Sequence, residues 1–285
     1  YEIVFGDWSS DVCSSDLAIR MLTMRTALLG GLVSVFGAVG QAQTTFPSDE
    51  ERFENPAVTA ERFVSELARR IRRSPELPSP AEFARQAQTR KTHRMAVQPD
   101  PGVVLPAETL YARARPSVVL VGAITRCERG RHWHKFFATG FVLHAGGIVV
   151  TNAHVLAAFA GADGIAIMTS AGEVAPLKQV LAADPLNDIA VLEVDARNLV
   201  PLPVATTAPI GATVYCLSHP ALNCEGTENA FFTLTKGIVA NKFQTRFGSH
   251  APVNVVAITA DYAKGSSGGP ILNEHGAVVG IVCQT

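Results

Sequence analysis

Three short motifs carry residue types that could together activate a hydroxyl group for attack on a carbonyl carbon. They contain His154, Asp188 and Ser267, in that order along the chain. A serine hydroxyl is a weak nucleophile by itself and needs a base beside it; an imidazole can serve as that base, and a carboxylate can orient the imidazole. Each residue alone has an ordinary structural explanation, as a buried histidine, a loop carboxylate or a turn serine. Their joint occurrence therefore predicts nucleophilic catalysis.

The sequence around each residue fits this role. In Val150–Val155 a strand ends in a small residue followed by the histidine, which predicts an imidazole at the rim of a barrel. In Asp184–Leu192 the carboxylate stands at the start of an apolar strand, where it can be buried against that imidazole. Glycines surround the serine in Lys264–Pro270, so the backbone can turn sharply and direct N–H groups at a developing oxyanion.

Short strands are predicted to position these residues. From Leu110 onward the apolar runs are brief, rich in Val and Ile and separated by turns, and no strong helical periodicity interrupts them. This pattern favours antiparallel barrels or a sandwich over a βαβ sheet. The predicted strands are 116–121, 136–143, 148–151, 165–168, 190–194, 212–217, 231–240, 254–258 and 278–282.

Composition limits the classes of partner. The chain has 285 residues, of which 47% are hydrophobic and 17% charged, and its formal net charge is -1. Because positive and negative residues nearly balance, the chain has no strong positive electrostatic field. Its charge therefore does not support binding to a nucleic acid or to an anionic membrane surface.

The N-terminal third divides into three predicted segments. Residues 1–20 are set aside, since Tyr1–Leu17 resembles a translated sequencing adapter. Residues 21–42 are predicted to be a signal peptide, because Arg25 precedes an apolar run too short for a membrane span, and small residues at positions 40 and 42 allow cleavage after Ala42. The alternative is an uncleaved anchor. We therefore expect a secreted or periplasmic protein with no stable membrane span.

Residues 43–111 are predicted to be a proline-rich linker or propeptide with one amphipathic helix. In Pro56–Arg73 an apolar stripe formed by Phe63, Leu67 and Ile71 recurs every four residues. This helix could dock on the catalytic unit, act in a propeptide or merely tether it, and the sequence leaves these alternatives open.

The motifs resemble those of the trypsin/chymotrypsin-like serine peptidase superfamily, most closely bacterial trypsin-like and HtrA (DegP-like) protease domains. TNAHV resembles the histidine motif, DIAVLEV the aspartate motif and GSSGGP the nucleophile motif. The resemblance covers residue 112 to the C-terminus. It implies an all-β fold with a double antiparallel β-barrel, one barrel over about 112–200 and the other over about 201–285. In this family a further strand follows the one that resembles 280–285, so we expect a truncated domain.

The resemblance also implies roles. His154 would be the general base, Asp188 would fix its tautomer, Ser267 would be the nucleophile, and the N–H groups of Gly265 and Ser267 would form the oxyanion hole. One departure is Ser266, which stands where zymogen-activated relatives carry an aspartate. Activation by insertion of a new N-terminus is therefore not expected, and other contacts must order the loop.

The sequence allows two hypotheses about substrate specificity, and both concern Asp261. The residue lies six positions before Ser267, where trypsin-like enzymes that cleave after Arg or Lys hold a carboxylate. Alternatively, Thr259–Asp261 corresponds with a one-residue shift to a Thr-Asp-Ala segment of HtrA-type domains. Asp261 would then order a loop, and the pocket would take small aliphatic residues.

Four cysteines follow the leader, namely Cys127, Cys216, Cys224 and Cys283. A disulfide between Cys216 and Cys224 is predicted because the pair brackets a short loop after a strand, while the other two are expected to be unpaired. No spacing typical of a zinc site is present. His132 and His134 could contact a metal if they lay on one face of a strand, but they are interpreted as surface histidines in a basic loop. We therefore expect no metal and no cofactor.

Together these observations predict a serine endopeptidase that acts on protein or peptide substrates through an acyl-enzyme. A protease-fold chaperone or binding module without turnover is the alternative. An esterase with the same triad is disfavoured, because α/β-hydrolases carry the triad in the order Ser, Asp, His.

Overall fold

The computed structural model describes residues 2–3, 18–20, 24–25, 54–74, 78–127, 130, 132–223, 228–246 and 252–284. Within these ranges the chain is mostly β, and twelve strands form two closed six-stranded barrels. The strands are β1 Glu2–Ile3, β2 Ala18–Arg20, β3 Met24–Arg25, β4 Val118–Arg126, β5 Trp133–His144, β6 Ile148–Thr151, β7 Gly164–Met168, β8 Val174–Asp184, β9 Ile189–Val194, β10 Thr213–Ser218, β11 Thr233–Thr245, β12 Val253–Ile258, β13 Pro270–Leu272 and β14 Val278–Gln284. The helices are α1 Pro56–Arg73, α2 Pro80–Ala87, α3 Ala107–Ala114 and α4 Ala153–Ala158, with a 3₁₀ turn at Arg115–Ser117.

The first barrel is antiparallel throughout, with the strand order β4-β5-β6-β9-β8-β7. Alternate residues of its strands fill the interior, among them Val119 and Val121 of β4 and Ile165 and Ile167 of β7. Strand alternation thus explains why these short runs are rich in branched apolar residues.

The second barrel has the order β10-β11-β12-β2-β14-β13. Its interior contains Val214, Val256, Ile271 and Val282, which are all buried. Strand β2 comes from the segment that the sequence led us to set aside, and it pairs with both β12 and β14.

Cys216 also lies in this interior, as a free thiol whose Sγ is 3.7 Å from the Ser218 hydroxyl. Burial raises the pKa of this thiol to about 11. Cys224 is outside the described residues. The structure gives the predicted bridge no support, and the bridge stays a prediction.

A separate apolar cluster joins the two barrels. It contains Val118, Phe141 and Val191 from the first barrel and Leu217 and Leu272 from the second. Burial of this shared surface fixes how the barrels meet, and therefore where residues at their facing ends can lie.

Helix α1 docks on the outside of the first barrel. Pro56 occupies its first turn, and the Asn55 side chain accepts a hydrogen bond from the Ala57 N–H, so the helix begins where the sequence predicts. Phe63 and Leu67 are almost completely buried, and they pack with residues of β4, β7 and β8. Of the three roles that the sequence left open for this helix, docking on the barrel is the one observed.

The double β-barrel and the N-terminal helical segment are confirmed. Strands β8 and β13 were missed, β8 because Pro176 and Lys178 interrupt its apolar pattern and β13 because it is only three residues long. The short helices α2 and α3 were missed as well. No helix among the described residues is long and apolar enough to cross a membrane. The apolar run of the predicted signal peptide lies outside those residues.

Replacing Phe63 with alanine should lower the free energy of unfolding by about 3–5 kcal/mol, because the ring is fully buried against the barrel. The matched control is Val58→Ala on the same helix, whose side chain is 60% exposed and whose loss should cost less than about 0.5 kcal/mol. Urea unfolding followed by circular dichroism measures both. Equal unfolding midpoints for the two variants would contradict the docking of α1.

Candidate active site

His154 and Asp188 are in direct contact. The histidine is the second residue of α4, which begins just after β6, and its side chain is 44% exposed. Its Nδ1 lies 2.5 Å from Oδ2 of Asp188, and its backbone N–H donates to the other carboxylate oxygen at 2.8 Å. Because the carboxylate holds Nδ1, the ring presents Nε2 as its available nitrogen.

The turn between β8 and β9 holds the Asp188 carboxylate in place. Asp188 adopts a left-handed backbone conformation with φ 55°, which aspartate tolerates better than most residues. Its carbonyl accepts a hydrogen bond of 2.7 Å from the side-chain amide of the buried Asn152. Earlier in the same turn, Asp184 Oδ1 accepts the N–H groups of Leu186 and Asn187. The carboxylate is thus fixed by a capped turn and a buried amide.

Ser267 lies in a loop between β12 and β13, residues 263–269, termed here the serine loop. The buried Ser266 organises this loop: its N–H donates to the Ala263 carbonyl, and its hydroxyl accepts the Ala263 N–H at 3.2 Å. The Ser218 hydroxyl donates to the same oxygen at 3.0 Å. These neutral hydrogen bonds order the loop at the position where zymogen-activated relatives would carry an aspartate.

Thr139, fully buried on β5, ties the first barrel to the serine loop. Its N–H donates to the Ser267 carbonyl at 2.9 Å, and its hydroxyl donates to the Gly265 carbonyl at 2.8 Å. The same hydroxyl accepts the N–H of His219 at 3.1 Å, and the Thr139 carbonyl accepts the hydroxyl of Thr151 at 2.8 Å. One residue therefore uses all its polar groups to hold both barrels against the serine loop.

Two glycines of the serine loop are required by their surroundings. Gly268 has φ 85°, and a Cβ there would lie 2.1 Å from the Thr139 carbonyl oxygen. Gly265 has φ 92°, and a Cβ there would lie 2.5 Å from the His219 carbonyl oxygen. Within the described part of the chain, the N–H groups of Gly265 and Ser267 donate to no protein acceptor. Both donors are therefore available to a bound group.

His154 and Ser267 line the same cleft between the barrels. The cleft has a volume of about 590 Å³, and its wall is largely apolar. Its lining residues are Trp133, His134, Lys135, Phe136, Phe137, Ala138, His154, Val155, Ala158, Phe159, Ala221, Asn229, Lys264, Gly265 and Ser267. This lining contains two lysines and no carboxylate.

Asp261 is exposed and is not among the residues that line this cleft. Its backbone carbonyl accepts a hydrogen bond of 2.6 Å from the Thr235 hydroxyl. His154, Gly265 and Ser267 therefore line the cleft, and Asp188 contacts His154 beside it. Asp261 lies outside the cleft.

His219 is a site residue that the sequence reasoning missed. It is fully buried, and its Nδ1 accepts the N–H of Phe232 at 3.0 Å. Burial lowers its pKa to about 3, so the imidazole is neutral at ordinary pH. Its carbonyl accepts the side-chain amide of Asn229 at 2.9 Å, next to Gly265. No local motif marked it, because Asn229 and Phe232 lie 10 and 13 residues further along the chain and Thr139 lies on β5.

Curated proteins similar in sequence to this chain include serine proteases. Serine protease Rv3671c of Mycobacterium tuberculosis is 32% identical over 194 residues, which are 65% of this chain and 43% of that protein. A probable periplasmic serine endoprotease, DegP-like, of Pseudomonas putida is 34% identical over 148 residues, 51% of this chain and 28% of that protein. The chain thus spans less than half the length of these curated relatives.

The crystal structure of the active form of the Mycobacterium tuberculosis Rv3671c protease superposes with a TM-score of 0.50 at 27% sequence identity. The match covers 68% of this chain and 82% of the crystallised one. The trypsin-like peptidase domain family matches residues 138–281, half of the chain, a range that contains His154, Asp188 and Ser267. This chain therefore belongs to the family of trypsin-like peptidase domains.

Proposed function

We propose that this protein is a serine endopeptidase that hydrolyses peptide bonds through an acyl-enzyme, with His154, Asp188 and Ser267 as its triad. The observation that carries the proposal is the contact of 2.5 Å between His154 Nδ1 and the buried Asp188 carboxylate, beside a cleft that Ser267 shares. Relatives named serine proteases support the reaction class.

In the proposed mechanism His154 Nε2 takes the proton from the Ser267 hydroxyl as its oxygen attacks the substrate carbonyl. The proton then passes to the leaving amine. Water next attacks the acyl-enzyme, with His154 again taking a proton and returning it to the Ser267 oxygen. Asp188 keeps Nδ1 protonated and stabilises the imidazolium that forms transiently. Its own burial and the hydrogen bond from the His154 backbone N–H keep it oriented for that purpose.

The N–H groups of Gly265 and Ser267 are proposed to form the oxyanion hole. Both are without a protein acceptor in the described part of the chain, and Gly265 and Ser267 line the cleft. Preorganised donors of this kind stabilise the charge that develops on the carbonyl oxygen. The units that carry these N–H groups are held through the Lys264 carbonyl, which accepts the Ala221 N–H, and the Ser266 carbonyl, which accepts the Gly269 N–H. Thr139 holds the two adjoining units through the Gly265 and Ser267 carbonyls, which makes it a positioning residue.

For specificity we favour the reading in which Asp261 orders a loop. The supporting observations are its exposure, the hydrogen bond from Thr235 to its backbone and the absence of carboxylates from the cleft lining. Lys264 and Lys135 in that lining would repel a substrate arginine or lysine. Apolar substrate residues suit the aromatic wall better.

Export is proposed as well. It is supported by the predicted signal peptide at residues 21–42 and by the description of the Pseudomonas putida relative as periplasmic. Protein or peptide substrates are proposed from the same reaction class.

Ser267→Ala should abolish labelling by a fluorophosphonate and reduce peptide hydrolysis by more than about 10⁴-fold, because it removes only the attacking hydroxyl. Mass spectrometry of the labelled protein gives the first readout and a casein digest the second. The neighbouring Ser266→Ala variant serves as a comparison for stability, since it removes a buried hydroxyl from the same loop. An unlabelled wild-type protein would favour the binding-module alternative, and undiminished hydrolysis by Ser267→Ala would refute the triad.

Thr139→Val should lower kcat by up to about 100-fold with little change in KM, because it removes the hydroxyl that fixes the Gly265 carbonyl and so loosens the serine loop that carries the Gly265 and Ser267 N–H groups. It should also lower the free energy of unfolding by about 1–3 kcal/mol by leaving buried polar groups unpaired. Thr139→Ser keeps the hydroxyl and should restore kcat. Ile167→Val, in the interior of the first barrel, lowers stability without touching the cleft and should leave kcat unchanged. If Thr139→Ser and Thr139→Val lose the same activity, the positioning role is wrong.

Asp261→Ser should leave the distribution of cleavage sites in a peptide-library digest unchanged, with most cuts after Val, Ala or Ile. The reason is that Asp261 accepts the Thr235 hydroxyl through its backbone carbonyl, which the substitution retains. A wild-type preference for Arg or Lys that Asp261→Ser removes would establish the basic-pocket reading instead.

A further inference from the structure

The tip of the hairpin formed by β4 and β5 brings together three side chains that bind metals. These are Cys127, His132 and His134, and one ligand atom of each lies within 4.8 Å of the other two. The thiol is half-buried and both imidazoles are exposed, so the group is open to solvent. Nothing in the proposed peptidase mechanism uses these residues.

Sheet geometry explains why the three side chains share one face. Successive residues of a strand point to opposite faces, so His132 and His134 point to the same one and Trp133 to the other. The Cys127 N–H donates to the His132 carbonyl at 3.0 Å, which sets these two residues opposite each other where the hairpin closes. Residues directly opposite in an antiparallel pair have their side chains on one face. The strand register therefore adds the third ligand.

Two anchors hold this end of the hairpin. The Arg126 N–H donates to Asp163 Oδ2 at 2.6 Å, and the Arg126 guanidinium lies 4.9 Å from the centre of the Trp133 ring. The two imidazole rings meet edge to face, with their centroids 5.1 Å apart. The ligand atoms are thus presented from an ordered pair of strands.

We propose that Cys127, His132 and His134 form a Zn²⁺ site with one coordination position left open to water. One thiolate and two imidazoles are a donor set that zinc binds in proteins, and tetrahedral zinc separates such ligand atoms by roughly 3.3–3.8 Å. The three ligand atoms lie within 4.8 Å of one another. Rotation about the side-chain χ angles can shorten these separations by about 1 Å and so bring them into the range for tetrahedral zinc. Binding converts the Cys127 thiol to a thiolate and releases its proton to solvent.

The site adjoins the cleft, because Trp133 and His134 both line it. A bound zinc ion would therefore hold one edge of the cleft wall through His134. From the sequence we expected no metal, because no typical zinc spacing was present and His132 and His134 were interpreted as surface histidines. The hairpin register places Cys127 opposite His132 and so adds the thiol to the two histidines.

The test is equilibrium dialysis of the full chain, carrying Ser267→Ala to prevent self-digestion, against Zn²⁺. We expect one Zn²⁺ retained per chain, and no stoichiometric retention by Cys127→Ser or by His132→Ala combined with His134→Ala. Co²⁺ in place of Zn²⁺ should give a thiolate-to-metal charge-transfer band that Cys127→Ser abolishes. The result is independent of the peptidase activity, so failure of either proposal can be recognised separately.

His93→Ala is the matched control, because His93 is an exposed histidine outside the hairpin. It should retain both the zinc and the cobalt band. Circular dichroism checks that each variant is folded. Zinc retention by Cys127→Ser equal to that of its parent, no retention by the parent, or stoichiometric binding of Cu²⁺ without Zn²⁺ would each overturn the assignment.

Discussion

The geometry of the cleft depends on the hydrogen bonds of one buried threonine, Thr139. It is the point at which a strand of the first barrel meets the serine loop of the second, and its N–H and hydroxyl hold the carbonyls of Ser267 and Gly265. Because a carbonyl and the N–H of the next residue belong to one rigid peptide plane, these bonds fix the Gly265–Ser266 and Ser267–Gly268 planes, one before and one after Ser267. The contact thus transmits the packing between the barrels to the groups that face the cleft.

Neutral hydrogen bonds, rather than ion pairs, perform most of this positioning. Around the serine loop the buried partners are hydroxyl groups, amides and backbone groups, with Ser218 and Ser266 in contact at 3.0 Å. Such contacts avoid the cost of desolvating charges inside the protein. The buried carboxylate of Asp188 is compensated by the His154 ring and by a backbone N–H. The serine loop itself is thus ordered without a buried ion pair.

The parts of the fold with local sequence signals could be predicted, and those that depend on distant partners could not. Helix α1 was predicted to the bounds that the structure shows because its apolar stripe of Phe63, Leu67 and Ile71 is a local signal. Strand β8 was missed because its pairing with β9 overrides the polar Lys178 and the proline before it. The role of Thr139 could not be predicted, since its partner Gly265 lies 126 residues away. Cys127 lies only five residues before His132, but its side chain shares a face with the two imidazoles only because the strand register sets it opposite His132.

The docking of α1 imposes a mutual constraint on the helix and the barrel. Gly122 of β4 leaves room for the Phe63 ring, and a Cβ there would lie 2.5 Å from the ring; Gly164 of β7 does the same for Ile71. A side chain at either glycine would force the Phe63 ring or the Ile71 side chain to move, and loss of the helix would expose an apolar groove that includes Leu120, Ile124 and Met168. Larger residues at Gly122 or Gly164 should therefore weaken the docking of α1 unless the facing side chain is made smaller.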